Sequence, residues 1–152
     1  MTESAHCIKA DWAAPPGITA GCSLRTGGVS SGEFESLNLG LHVGDDPVAV
    51  NENRERFVAG CGLPSAPLWL NQVHRTRVVP DPEPETEADA SVTSKTGLVL
   101  AVMVADCLPV LFASDDGAEV AAAHAGWRGL SAGVLENTVR AFEKPPQNLV
   151  AW

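Results

Sequence analysis

Residues 98–125 read LVLAVMVADCLPVLFASDDGAEVAAAHA, and their pattern changes several times. Leu98 to Val104 is apolar at every position, which predicts a central strand buried on both faces. Asp106-Cys107-Leu108-Pro109 breaks it, and Val110 to Ala113 resumes as strand. Asp115-Asp116-Gly117 is a turn, and Glu119 to Ala123 is another buried strand that leads to His124. Beyond it Ser131 is expected to cap a helix whose apolar residues Val134, Leu135, Val139 and Phe142 recur at helical spacing, with Pro145-Pro146 ending it. Asn148 to Trp152 reads as the start of a further strand.

Upstream, Gly17 to Arg25 predicts a first strand that opens into the Gly/Ser-rich loop Thr26 to Gly32. Asp46 before Pro47 is a helix start, because the carboxylate can accept from free N–H groups and proline at the first helical position loses no hydrogen bond. That helix is expected to reach Phe57 or Val58, with Gly60 closing it. Leu68 to Leu70 and Thr76 to Val79 predict short strands, and the alternation of proline with carboxylate from Pro80 to Asp89 predicts a solvated loop away from any site. Strands interleaved with two helices predict one α/β or α+β domain over 1–152.

The chain has 152 residues, 19 acidic against 10 basic side chains and a net charge of −9. That balance argues against sequence-blind binding to nucleic acid or to an anionic membrane, both of which rest on Lys and Arg neutralising phosphates. Its longest apolar run, Leu98 to Ala105, is far below the roughly 20 residues of a membrane span. Met1 to Ala14 shows no leader pattern, so a cytoplasmic location is expected. Cys7, Cys22, Cys61 and Cys107 never form C-x-x-C and are expected as reduced thiols.

Metal chemistry must draw on His6, His42, His74 and His124. His74, Cys107 and His124 each fall at the end of an element, 33 and then 17 residues apart. Structural zinc sites take ligands in close pairs from one loop, whereas a fold-assembled His-Cys-His trio suits a catalytic zinc with an open fourth position. Zinc there lowers the pKa of bound water to about 7. His6, Cys7, Cys22 and Cys61 read as ordinary structural side chains.

Five segments carry a resemblance: SLRTGGVS (23–30), SLNLGLHVGD (36–45), WLNQVH (69–74), ADCLPV (105–110) and AHAGWRG (123–129). In this order the chain resembles, from Gly17 to Trp152, the YfiH family, also called the laccase-domain, polyphenol-oxidase-like or purine nucleoside phosphorylase family. The resemblance implies a four-layer α/β/β/α fold with mixed sheets, related to cytotoxic necrotizing factor. It also implies a metal site on His74, Cys107 and His124. Family members continue past the point matching Trp152, so the chain is expected to hold the N-terminal and central part of the family's domain.

The resemblance further implies phosphorolysis of adenosine, inosine or methylthioadenosine and hydrolytic deamination of adenosine, with zinc as cofactor. The small-molecule partners are then a purine nucleoside and phosphate; the oligomeric state is left open. For proton transfer the candidates are Asp106 and His42. Arg25, followed by Thr26-Gly27-Gly28, is the expected phosphate clamp, with Arg128 assisting, and Gln72 and Asn38 are candidates for orienting purine or ribose. Buried amides that tie loops together would explain Gln72 and Asn38 equally well.

Three alternatives stand beside this reading. Copper in the same His-Cys-His set would give laccase-like polyphenol oxidation, although a multicopper cluster needs more imidazoles than His6 and His42 supply. Cys107 could be the nucleophile of an amidohydrolase that edits peptidoglycan precursors, with His124 as its base. The chain could also be a metal-binding fragment without catalysis.

Overall fold

A computed structural model describes residues 7–152. His6 and the first part of the Met1–Ala14 segment lie outside the described residues. Two compact units are present: the described residues up to Ala10 with Ala20–Ala66, and Asp11–Thr19 with Pro67–Trp152.

In the first unit, β1 (Cys7–Lys9) pairs antiparallel with β2 (Gly21–Ser23), Ile8 opposite Cys22. Among the described residues the strand predicted over Gly17–Arg25 is shorter, formed over Gly21–Ser23 alone. Helix α1 runs Pro47–Cys61, and the Asp46 carboxylate accepts from the Val48 N–H at 2.9 Å. It passes through Gly60 and closes instead at Gly62, where the Gly62 and Leu63 N–H groups bond back to Ala59 and Val58. Asn53 on α1 is fully buried; it accepts from Val29 N–H at 2.8 Å and donates to Ser30 Oγ at 2.8 Å and the Asn38 carbonyl at 2.9 Å. Cys7 and Cys61, expected as free thiols, form a disulfide, because β1 brings their Cα atoms to 5.8 Å. Cys22 and Cys107 are free.

The second unit is built on a sheet of β3 (Val78–Pro80), β4 (Ala90–Thr93), β5 (Leu108–Ser114), β6 (Val120–Ala125) and β7 (Leu149–Ala151). Its order is β3-β4-β6-β5-β7, with β3 and β4 parallel and the other pairs antiparallel. The chain is therefore α+β with a mixed sheet. Alternation along β6 turns Ala121, Ala123 and Ala125 into one core with Ala90, Val92, Phe112, Val134 and Phe142. His124 points to the opposite face, yet is 2% exposed.

Three predicted elements of this unit differ. Leu68–Leu70 is not a strand: Leu68 makes only an isolated bridge to Leu100, and no ladder runs on through Leu70. Leu98–Val104 is not a central strand: it makes one isolated bridge, Leu68 to Leu100, and its residues are only half-buried or, at Val104, exposed. Its backbone is met by Leu68 N–H on the Val99 carbonyl at 3.0 Å and by the Gln72 side chain on Met103, so no ladder continues through it. The helix after His124 is divided into α2 (Trp127–Ala132) and α3 (Val134–Arg140), because Gly133 turns left-handed (φ 97°) between them. Ser131 consequently lies inside α2, and its hydroxyl donates to the Arg128 carbonyl instead of capping. Among the described residues no helix is long and apolar enough to cross a membrane.

Candidate metal centre

Three separate segments of the second unit converge. His124 stands in β6 opposite Pro109 of β5, Cys107 sits in the bend just before β5, and His74 lies in the loop before β3. One ligand atom from each of His74, Cys107 and His124 lies within 4.8 Å of the others, and no other such group forms among the described residues. The imidazoles meet edge to face, with ring centroids 4.7 Å apart. His124 is buried, Cys107 half-buried and His74 exposed, so the cluster reaches from the interior to the surface.

Gly126 shows what this space is kept for. A Cβ there would stand 3.0 Å from Cys107 Sγ, 3.1 Å from His74 Cδ2 and 3.5 Å from His124 Nε2, although φ −63° and ψ 153° suit any residue. A borderline-soft donor set of two imidazoles and one thiolate around such a cradle fits zinc or copper.

The Cys107 thiol lies 3.7 Å from Asp106 Oδ1. Burial first, then the negative charge and hydrogen bond of Asp106, and last the charge of Asp89, push its pKa up. A cysteine nucleophile needs the opposite shift. The strand does not continue through Asp106 and Cys107, since residues 105–107 form a bend, and this is what lets both side chains approach one another.

Asp89 is the residue that the loop composition concealed. Expected in a solvated loop away from the ligands, it is fully buried at the head of β4. Its Oδ1 accepts from His74 N–H at 2.8 Å and contacts His124 Nδ1 at 2.8 Å, while Oδ2 accepts from Val73 N–H at 3.3 Å and Arg75 N–H at 2.7 Å. Its carbonyl also accepts from His124 N–H at 2.7 Å. His74 adopts φ 59°, a region costing a non-glycine residue about 1–2 kcal/mol, so that successive N–H groups face one carboxylate. The available signal was Ala88-Asp89-Ala90, a lone acid between small residues entering the strand SVT.

Gln72 donates to the Met103 carbonyl at 2.8 Å and accepts from its N–H at 2.7 Å, so both ends of its amide are committed to backbone. Arg128 is exposed and stacks over the Trp127 ring at 4.6 Å, with Trp127 itself 71% exposed beside Gly126. Arg25, Asn38 and His42 belong to the first unit. Arg25 is exposed and donates through Nε and Nη2 to the Glu35 carbonyl. Asn38 donates to Gly40 and Asp45, and His42 is exposed in the Leu41–Gly44 turn.

Residues 19–152 match the family described as multi-copper polyphenol oxidoreductase laccase. The chain is 53% identical over 148 residues to the Escherichia coli K12 protein named purine nucleoside phosphorylase YfiH, covering 95% of this chain and 61% of that protein. It is 51% identical over 146 residues to Pseudomonas aeruginosa purine nucleoside phosphorylase PA4543, covering 95% and 60% respectively. Among solved structures, Neisseria meningitidis protein NMB0706 superposes with a TM-score of 0.87 at 49% identity, over 95% of this chain and 60% of that one. YlmD from Geobacillus stearothermophilus does so with a TM-score of 0.81 at 30% identity, over 88% and 56%. The chain thus spans about three fifths of the length of the curated relatives it matches.

Proposed function

The chain belongs to the YfiH family of laccase-like proteins, and from that premise we propose that it serves a metal-dependent purine nucleoside phosphorylase. The observation that carries the reading is the convergence of His74, Cys107 and His124 around Gly126, in a chain whose relatives bear that name. His74, Cys107 and His124 would hold the ion. When bound, zinc or another divalent ion supplies charge stabilisation to a polarised oxygen.

The protein's own side chains supply the rest. In phosphorolysis a phosphate oxygen bonds to the ribose anomeric carbon, the carbon–nitrogen bond to the purine breaks, and the purine nitrogen takes up a proton. Arg128, exposed two residues after Gly126 in the same unit as the cluster, is the guanidinium group assigned to phosphate. Asp106, beside the thiol, is assigned the proton delivered to the leaving base. Gln72 and Asn38 receive no substrate role here, because internal backbone and side-chain partners engage their amides. Hydrolytic deamination of adenosine at the same centre is the companion reaction, and copper-dependent phenol oxidation is the alternative that the family description favours.

One observation supports a different class. Cys107, His124 and Asp89 have the make-up of a nucleophile, base and orienting acid. The upward shift of the thiol and the presence of His74 weigh against it.

The intact, zinc-loaded protein should be incubated with adenosine or inosine, with and without phosphate, and the products resolved chromatographically. Phosphate-dependent release of free base, lost in Cys107→Ala, is expected; phosphate-independent conversion of adenosine to inosine marks the deaminase. Turnover of neither nucleoside above the Cys107→Ala level overturns the reading. In that case sustained phenol oxidation by copper-loaded protein installs the oxidase, and rapid thiol alkylation undiminished by zinc the nucleophile.

A further inference from the structure

A carboxylate sealed from water and lacking a Lys or Arg partner is costly unless every lone pair meets a donor. Asp89 is in that position: among the described residues its charged-group partner is the His124 ring alone, and the N–H groups of Val73, His74 and Arg75 complete its shell. These contacts reach two metal-ligand candidates from two segments. The backbone of His74 is drawn into its left-handed turn, and the ring of His124 is gripped at Nδ1.

We infer that Asp89 is the positioning residue of this centre: it forms the His74 turn and fixes the His124 proton on Nδ1 before any metal arrives. A carboxylate only accepts, so the ring must present Nδ1–H to it, and the lone pair of the neutral ring then lies on Nε2. Nε2 is the nitrogen that faces the Gly126 cradle shared with Cys107 and His74. Cys107 needs no such tether, because the pairing of Leu108 with Ala125 places its bend beside β6.

Asparagine cannot substitute, though it has the same shape. With its NH2 group on the Oδ2 side it faces two backbone donors, Val73 and Arg75. With NH2 on the Oδ1 side it faces one backbone donor, His74, and one ring nitrogen that can become an acceptor. The second arrangement leaves fewer opposed donors. It moves the ring proton to Nε2 and removes the lone pair that a metal would use.

The inference rests on the metal-binding half of the proposed function and on none of its nucleoside chemistry. Its test needs no substrate: long-range 1H–15N spectra of metal-free, 15N-histidine-labelled intact protein. His124 is expected as the Nδ1–H tautomer in the wild type and as Nε2–H in Asp89→Asn. Zinc affinity by chelator competition should fall about 10–100-fold in that variant while the backbone spectrum keeps its dispersion. An Nε2–H tautomer in the wild type overturns the inference, as does an Asp89→Asn protein with unchanged tautomer and affinity within about twofold. Should Asp89→Asn fail to fold, the wild-type tautomer still decides. Absence of nucleoside turnover leaves the inference standing.

Discussion

Asn53 in the first unit and Asp89 in the second are both fully buried, and each gathers backbone from distant loops. They are nearly the same size and differ in what surrounds them. Asn53 meets a mixed set: one N–H to accept from, and a hydroxyl oxygen and a carbonyl to donate to. Asp89 meets donors only. A neutral amide suffices where a loop has only to be shaped. A charge is kept where, in addition, the proton of an imidazole has to be assigned to one nitrogen.

Three further experiments press on that contrast. The strongest is Asn53→Asp, the mirror image of Asp89→Asn. It sets a buried carboxylate against the Asn38 carbonyl and should cost about 3–5 kcal/mol in urea unfolding. A loss below about 1 kcal/mol would mean that the two pockets are not chemically distinct. Gly126→Ala perturbs the cradle while leaving both anchors intact. Its Cβ, 3.0 Å from Cys107 Sγ, is expected to weaken zinc binding about tenfold, with the unfolding midpoint hardly moved. Equal losses of affinity and stability would show that the glycine serves packing instead.

The gentlest is pH. Burial and Asp106 raise the Cys107 thiol above its ordinary pKa, so at neutral pH a metal must displace its proton. Apparent zinc affinity should therefore rise with pH, by about tenfold per unit for one proton released, and level off only above the raised thiol pKa. A profile already flat from neutral pH would place the thiol outside the metal's ligands.

Local chemistry was legible where one residue carried the whole signal. Asp46-Pro47 started a helix, Asp115-Asp116-Gly117 turned between β5 and β6, and Leu149–Ala151 formed a strand. The His74, Cys107 and His124 trio came from element ends and a family likeness, and the fold brings it within reach of one ion. Leu98–Val104 misled because an apolar run reports burial, whereas a strand also requires neighbours for its backbone, and here one bridge and a glutamine side chain supply them. Asp89 was hidden by averaging. The Pro/acid alternation describes Glu83 to Glu85 well, which are exposed, but Asp89 at the end of the same acidic run already enters β4. Ser131 lost its capping role to a glycine whose left-handed turn no polarity pattern announces.

The contact between Asp89 and His124 spans 35 residues of chain, and it can form only when β4 and β6 have aligned antiparallel. In kinetic terms the metal centre is therefore a late structure. Its ligands cannot be collected by a nascent loop in the way a C-x-x-C pair can, because their common anchor exists only after long-range strand pairing. An ion entering this site would thus report a completed sheet and would not nucleate one.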